Sequence, residues 1–348
     1  MGADRPLRPR HLVPGDTIAV VSPSWGGPSH FPHVFDHGLA VLRSWGFEVR
    51  ESPTARASSD RLRLDPQARA GDLNRAFADP TVRAIVASIG GDDSIRLLPY
   101  LDRDAIAANP TILMGYSDTT TLLVAARRLG LVAHHGPSAM AGLSQMAALP
   151  ATYERHVREL LTSTADAYRY PAFDGFVEGY PDWSDPTRVG EVGAWQPDTG
   201  PRTLQGAGVV TGELFGGCLD VLDWLRGTWA WPDPDDWTGR LLFLETSEEK
   251  PSPLQVERML RAFGVAGVFD RVAGILVGRP RDHSVEERMA FEAAIRAIIA
   301  EEFGRPDLPI VAGLPFGHTD PQWVLPLGVR AELDVDSGSL RLVEPWLV

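Results

Sequence analysis

The 348 residues are 44% hydrophobic and 23% charged, an ordinary globular balance for about two domains and a core that needs no staples. A formal net charge of −13 argues against nucleic acid or an anionic membrane as partner, because both reward a basic surface. The single cysteine, Cys218, allows no intrachain disulfide, and no apolar run nears the roughly 20 residues of a membrane span.

In chain order, the first ten residues carry charge without an apolar core, so no secretory signal is expected and a cytoplasmic location is the default. Thr17–Ser22 reads as a buried strand and Pro23-Ser24-Trp25-Gly26-Gly27 as the loop leaving it. His30, His33 and His37 have a metal-like spacing, but Asp36 is the only carboxylate nearby. A solvated helix start is therefore expected, and no metal or organic cofactor. Phe35–Trp45 is helix-like, Phe47–Glu51 strand-like and 67–78 helical. Ala84–Ile89 and 111–116 follow as continuous apolar runs. Strands of that kind alternating with helices predict an α/β fold with a parallel sheet covered on both faces. Ligands of such sheets sit beyond the carboxyl ends of the strands. Both Gly90-Gly91-Asp92-Asp93 and Ser117 fall at such ends.

From about 170 to 205 the texture changes to Pro, Gly, Asp and Tyr, with Trp183 and Trp195. This predicts a long linker or lid, a length of loop usually kept for function. A second α/β unit follows, with strands at Val209–Phe215, Leu241–Glu245, Gly274–Gly278 and 309–316. Ser252-Pro253-Leu254-Gln255 and Ser284-Val285-Glu286-Glu287 each read as a capped helix start. Val329–Val335 and Leu340–Val343 flank Asp336-Ser337-Gly338-Ser339 as a hairpin. Cys218 reads as a small buried apolar residue, and Lys250, the single lysine, has no evident role.

Thr111-Ile112-Leu113-Met114-Gly115-Tyr116-Ser117-Asp118 is the most informative stretch. An apolar run ends at Gly115, Ser117 follows, and Thr119 to Leu123 has helical spacing. Strand, tight turn and helix push a hydroxyl out of the backbone near helix N-terminal N–H groups, which stabilise developing negative charge. A nucleophile fits there, and so does a plain turn serine, since Thr119 stands where the last glycine of G-x-S-x-G would be.

A serine needs a base. Of the nine histidines, His156 and His283 look exposed among helix-start residues, and His134 and His135 look structural at the end of Leu131–Ala133. His318 leaves a Gly-rich strand exit and can serve as a catalytic base or as a turn residue. Glu245 ends a buried Leu-Leu-Phe-Leu run, so it needs a partner. A histidine N–H would suit it, and so would Thr246, Ser247 or Lys250. The N–H groups of Asp118 and of the Gly90-Gly91 loop are candidate oxyanion donors.

Five motifs occur together and in order: Ser-Ile-Gly-Gly-Asp-Asp (88–93), Gly-Tyr-Ser-Asp (115–118), Gly-Glu-Leu-Phe-Gly-Gly-Cys-Leu (212–219), Leu-Glu-Thr-Ser-Glu-Glu (244–249) and Gly-Leu-Pro-Phe-Gly-His (313–318). With them the chain resembles the LD-carboxypeptidase-like serine peptidases over nearly its whole length. The resemblance implies a Rossmann-like N-terminal domain (1–168), a linker or lid (169–205) and a smaller C-terminal α/β domain (206–348), paired as a homodimer. It implies a Ser117–Glu245–His318 triad split between the domains, with oxyanion donors at Gly91 and Asp118. It implies substrate contacts from Gly90, Asp92, Trp183, Gly216 and Gly217. One branch of the family trims D-alanine from muropeptides. The other resembles the microcin C immunity peptidase, which cleaves the amide between an amino acid or peptide and a nucleotide-like group. Gly-Gly-Asp-Asp with Ser94, Glu-Thr-Ser-Glu-Glu and the Trp183-Ser184-Asp185 segment point to the second branch. An indole there suits a purine. Cys218 departs from the asparagine common in the family. A non-catalytic binding protein for nucleotide or amino-acid conjugates is the reading from another class.

Overall fold

A computed structural model describes residues 6–348. Met1–Arg5, where the expected N-terminal unit and the stretch read for a leader begin, lie outside the described residues. Five strands, β1 (Thr17–Val21), β2 (Glu48–Glu51), β3 (Val82–Ala87), β4 (Ile112–Gly115) and β5 (Ala133–His135), run parallel in the order β5-β4-β3-β1-β2. β4 is buried along its whole length, as a strand covered on both faces must be. The helices between them start on local signals: Asp65 caps Pro66–Ala78 and Asp102 caps Arg103–Ala108. The strand order reverses beside β1, so the loops leaving β1 and β3 part there and open a crevice.

After β6 (Tyr168–Arg169), the stretch expected to be a linker or lid contains three short strands: β7 (Gly175–Glu178), β8 (Gln196–Pro197) and β9 (Arg202–Gln205). Strands of two to four residues show no readable alternation, and their partners are far away in the chain. The segment is also pinned by charge. The buried guanidinium of Arg279 donates to Asp198 (2.5 Å), and Arg288 donates to Glu178 (3.1 Å).

The second sheet is built on β10 (Val209–Cys218), β11 (Arg240–Glu245), β12 (Gly274–Gly278) and β13 (Ile310–Leu314), all parallel. Then come β14 (Thr319–Asp320), β15 (Leu325–Leu327) and the hairpin β16 (Arg330–Asp334) with β17 (Ser339–Leu342). The sheet order is β6-β17-β16-β10-β11-β12-β13-β9, and β7 lies between β14 and β8 in a small third sheet. β15 instead crosses back and pairs antiparallel with β5 in the first sheet. Both expected helix starts form capping boxes, for Pro253–Val265 and for Val285–Arg296.

The two large sheets meet through the helix Thr120–Arg128, which follows β4. Arg127 clamps Glu213 with two bonds from one nitrogen (2.9 and 3.0 Å), and Thr120 Oγ1 accepts the Cys218 N–H (3.1 Å). His156 and His283 are buried, contrary to expectation. His156 Nδ1 lies 2.7 Å from the Tyr168 hydroxyl while Nε2 accepts the Val324 N–H, and His283 Nδ1 donates to the Arg281 carbonyl. Charged neighbours such as Arg155, Arg158, Asp282 and Glu286 are exposed while each ring is buried. No described helix is long and apolar enough to cross a membrane.

Candidate active site

The turn after β4 holds Ser117 at φ +57°, a conformation that costs a non-glycine residue and recurs where a nucleophile is presented. A single 3₁₀ turn, Ser117–Thr119, leads straight into the helix Thr120–Arg128, so the hydroxyl stands at a helix N-terminus. Asp118 is locked below it: its carboxylate accepts the Ser94 N–H (2.8 Å), and its carbonyl accepts the Ser94 hydroxyl (2.8 Å). Burial pushes the Asp118 carboxyl up.

The loop leaving β3 faces this turn. A Cβ placed on Gly90 would sit 3.0 Å from Ser117 Cβ, 3.1 Å from its Oγ and 3.5 Å from the Asp118 nitrogen, so glycine leaves the space beside the Ser117 hydroxyl free. Ser24 Oγ, from the loop after β1, accepts the N–H groups of Asp92 and Asp93 (3.0 and 3.2 Å). The buried guanidinium of Arg69 ties the two loops together by donating to Asp93 (2.6 Å) and to the Pro23 carbonyl (2.7 Å).

From the second sheet, β11 ends on Glu245, and the chain leaving β13 turns at Gly317 to bring in His318. Nδ1 of His318 lies 2.7 Å from Glu245 Oε2. The approach is so close that a Cβ on Gly317, at φ +97°, would fall 2.7 Å from that oxygen. Burial pushes the Glu245 carboxyl up, with the charge of His318 opposing. Burial likewise disfavours the imidazolium, yet the charge and hydrogen bond of Glu245, aided by Glu248, outweigh it and hold His318 up to about 10. Glu248 was not foreseen. Its Oε2 stands 2.8 Å from Nε2 of the ring, close enough for an ion pair but off the direction of a hydrogen bond. The Tyr116 ring, next to Ser117 in the chain, packs edge-on against His318 with centroids 5.0 Å apart.

Ser117, His318, Gly90 and Gly91 share one cavity of about 530 Å³, a usual size for a small-molecule site. One wall is aromatic: Trp25, Phe31, Tyr180 and Trp183. Tyr180 stacks on Trp183 at 5.6 Å and 16°, and its hydroxyl donates to Asp320 at 2.6 Å, which ties the lid to the chain just past His318. Glu248 and Arg281 are the charged part of the lining. Of the residues singled out from sequence, Asp92, Trp195, Gly216 and Gly217 do not line the cavity. Gly216 and Gly217 lie in β10, where a Cβ would meet the Phe243 carbonyl at 1.8 Å and Thr120 Cγ2 at 2.4 Å. Their lack of a side chain serves sheet and helix packing there. Lys250 pairs with Glu287 (2.8 Å) away from the cavity. His30, His33 and His37 turn to Ser59, the Trp183 carbonyl and the Ser144 carbonyl, and no cluster of metal-ligating side chains occurs among the described residues. Tyr180 and Arg281 carry no local signal of site residues. Trp25 and Phe31 follow a strand end, a position that could have marked them.

This geometry has known counterparts. Sequence profiles of the LD-carboxypeptidase N-terminal and C-terminal domains match residues 18–136 and 211–333. A carboxypeptidase-named protein of Vibrio cholerae is 30% identical over 344 residues, covering 98% of this chain and 99% of its own. The microcin C7 self-immunity protein MccF of Escherichia coli is 29% identical over 347 residues, covering 98% and 97%. Its structure in complex with aspartyl sulfamoyl adenosine superposes with a TM-score of 0.85 at 28% identity, over 99% of this chain and 100% of that one. A crystal structure of an MccF-like protein from Streptococcus pneumoniae in complex with AMP superposes at 0.83 with 32% identity, over 94% and 98%. With both of the family's domains matched in order on one continuous chain, this protein belongs to the LD-carboxypeptidase family of serine peptidases.

Proposed function

We propose that the protein hydrolyses the amide bond of small aminoacyl-nucleotide conjugates by a Ser117–His318–Glu245 triad. His318 Nε2 takes the proton of Ser117 as the hydroxyl attacks the amide carbonyl, and Glu245 holds the Nδ1–H and stabilises the imidazolium. The N–H groups of Asp118 and Gly91 receive the oxyanion. His318 then protonates the leaving amine, and water releases the acyl group by the same route in reverse. The observation that carries the reading is one cavity containing Ser117, an imidazole paired at 2.7 Å with a buried carboxylate, and an aromatic wall broad enough for a base. In this resting arrangement Glu248 faces Nε2, so the base must be freed of that carboxylate before it can act.

Trp183 supplies the face on which a purine stacks, since an indole binds any base without reading its edges. Two relatives support this choice: MccF with aspartyl sulfamoyl adenosine, and the Streptococcus pneumoniae protein with AMP. The reading includes division at about residues 169–205, a homodimer, and a cytoplasmic site of action that suits one free buried cysteine.

The test offers the purified protein aspartyl sulfamoyl adenosine and, separately, a murein tetrapeptide. The expected result is cleavage of the first and loss of turnover in Ser117→Ala with an unchanged melting temperature. Cleavage of the tetrapeptide alone would move the protein to D-alanine trimming. Binding without turnover, with no labelling by a covalent serine probe, would make it a binding protein. Undiminished turnover in Ser117→Ala would exclude the triad.

A further inference from the structure

The buried polar atoms here without a hydrogen-bond partner include both ring nitrogens of His135, Nε2 of His318 and Oε1 of Glu245. Nε2 of His135 and Oε1 of Glu245 face each other at 3.9 Å, with both side chains fully buried. The alignment is set by the fold. His135 ends β5 and pairs in register with Gly115 of β4, two residues before Ser117, while Glu245 ends β11 in the other sheet. The imidazole is fixed edge-on between the rings of Tyr116 (6.3 Å) and Phe243 (5.4 Å), which leaves Nε2 pointing toward the carboxylate.

We propose that His135 is a positioning residue for the triad, donating its Nε2–H to Glu245 Oε1 so that the carboxylate bridges two imidazoles, His135 on Oε1 and His318 on Oε2. The inference rests on the triad reading above. A buried carboxylate with one donor leaves an oxygen desolvated and unpaired, and that oxygen and the orphaned ring N–H each cost free energy until they meet. A hydrogen bond of about 2.9 Å needs the pair to close by roughly 1 Å, within reach of a small rotation of the carboxylate.

The groups around the pair fix the protonation states. Burial, with His318 adding to it, holds His135 down to about 3, so it stays a neutral donor at any working pH. Glu245 is faced by His318, by Asp220 and Glu248, whose charges push its carboxyl up, and by the buried Cys218 thiol opposite it in β10. His135, as a neutral ring, can support the ionised carboxylate without adding charge. Its effect on catalysis runs through Glu245: a carboxylate relieved of one donor becomes more basic and drags the His318 titration upward with it.

The experiment compares pH profiles of kcat/KM for the wild type, His135→Leu and His135→Gln, with Ser117→Ala as control. His135→Leu is expected to lower kcat by about ten- to a hundred-fold, with KM changed less than about two-fold and the acid limb moved up by about one pH unit. His135→Gln, which keeps an N–H at similar reach, is expected to restore most of both. A leucine variant that folds and keeps the wild-type acid limb overturns the proposal and leaves the triad standing. Turnover surviving in Ser117→Ala sinks the triad reading instead. Nitrogen-15 shifts of the wild-type imidazoles decide the matter even if the leucine variant does not fold. A neutral Nε2–H tautomer at His135 supports the bond, and an Nδ1–H tautomer overturns it.

Discussion

Replacing Glu248 by glutamine keeps the side chain's shape and removes its charge from beside the His318 ring. In the folded protein this carboxylate is drawn down to about 2, chiefly by its contact with the His318 ring. At the observed 2.8 Å, two unit charges interact by about 1.5 kcal/mol in a water-like dielectric. Since 55% of the Glu248 side chain is exposed, solvent and salt leave about 1 kcal/mol, or roughly 0.7 in the pKa of His318. The direction follows from the charges. Burial disfavours the imidazolium, the two carboxylates hold it up to about 10, and deleting one lowers that value. The neutral base is then reached at lower pH. The acid limb of kcat/KM in Glu248→Gln should move down by about 0.7, with activity near neutral pH rising by up to about five-fold. Raising the salt should shrink the difference. An acid limb that stays put, or moves up, would refute this account of the resting site. Stability should respond in the opposite sense. His318 contributes fully below its unfolded pKa of about 6.5 and loses that contribution as pH rises through about 10. Glu248 contributes above about 4.5 and loses it as pH falls through about 2. The variant should therefore be the less stable protein at pH 5 to 6, and equal to wild type near the two extremes.

Three further outcomes can be checked singly. Gly90→Ala puts a methyl 3.1 Å from the Ser117 hydroxyl, so kcat should fall by about ten-fold or more at nearly unchanged stability, read by steady-state kinetics beside a melting curve. Trp183→Ala removes the stacking face and should raise KM for an aminoacyl nucleotide by roughly five- to a hundred-fold while kcat holds; a change in kcat alone would contradict the assigned role. Cys218 is fully buried, and burial together with nearby carboxylates pushes its thiol well up, so iodoacetamide should leave the native protein unlabelled and modify it once unfolded, as read by mass spectrometry.

What the sequence determined was local. The apolar run before Gly115, with Ser117 behind it and a helical pattern next, specified strand, turn and helix, and Ser252 with Gln255 and Ser284 with Glu287 specified helix starts, because each pattern is complete within a few residues. Glu245 was legible as a carboxylate ending a buried strand and so in need of a partner. That the partner is His318, 73 residues further on, depends on the parallel register of β11 with β12 and β12 with β13 and on the turn at Gly317. Position along the chain left the partner of Glu245 undecided; tertiary structure pairs it with His318. It also buried His156 and His283, which sit among charged neighbours, and gave the 170–205 stretch partners in β13 and β14 that no local pattern announces. Glu248 and Arg281 follow β11 and β12 of the second sheet, and only the folded chain brings them to the cavity that Ser117 lines. The division has one cause. Propensity and capping act over a few residues and can be read in a line, whereas burial, charge pairing and the cavity that Ser117 shares with His318 arise only when distant segments pack.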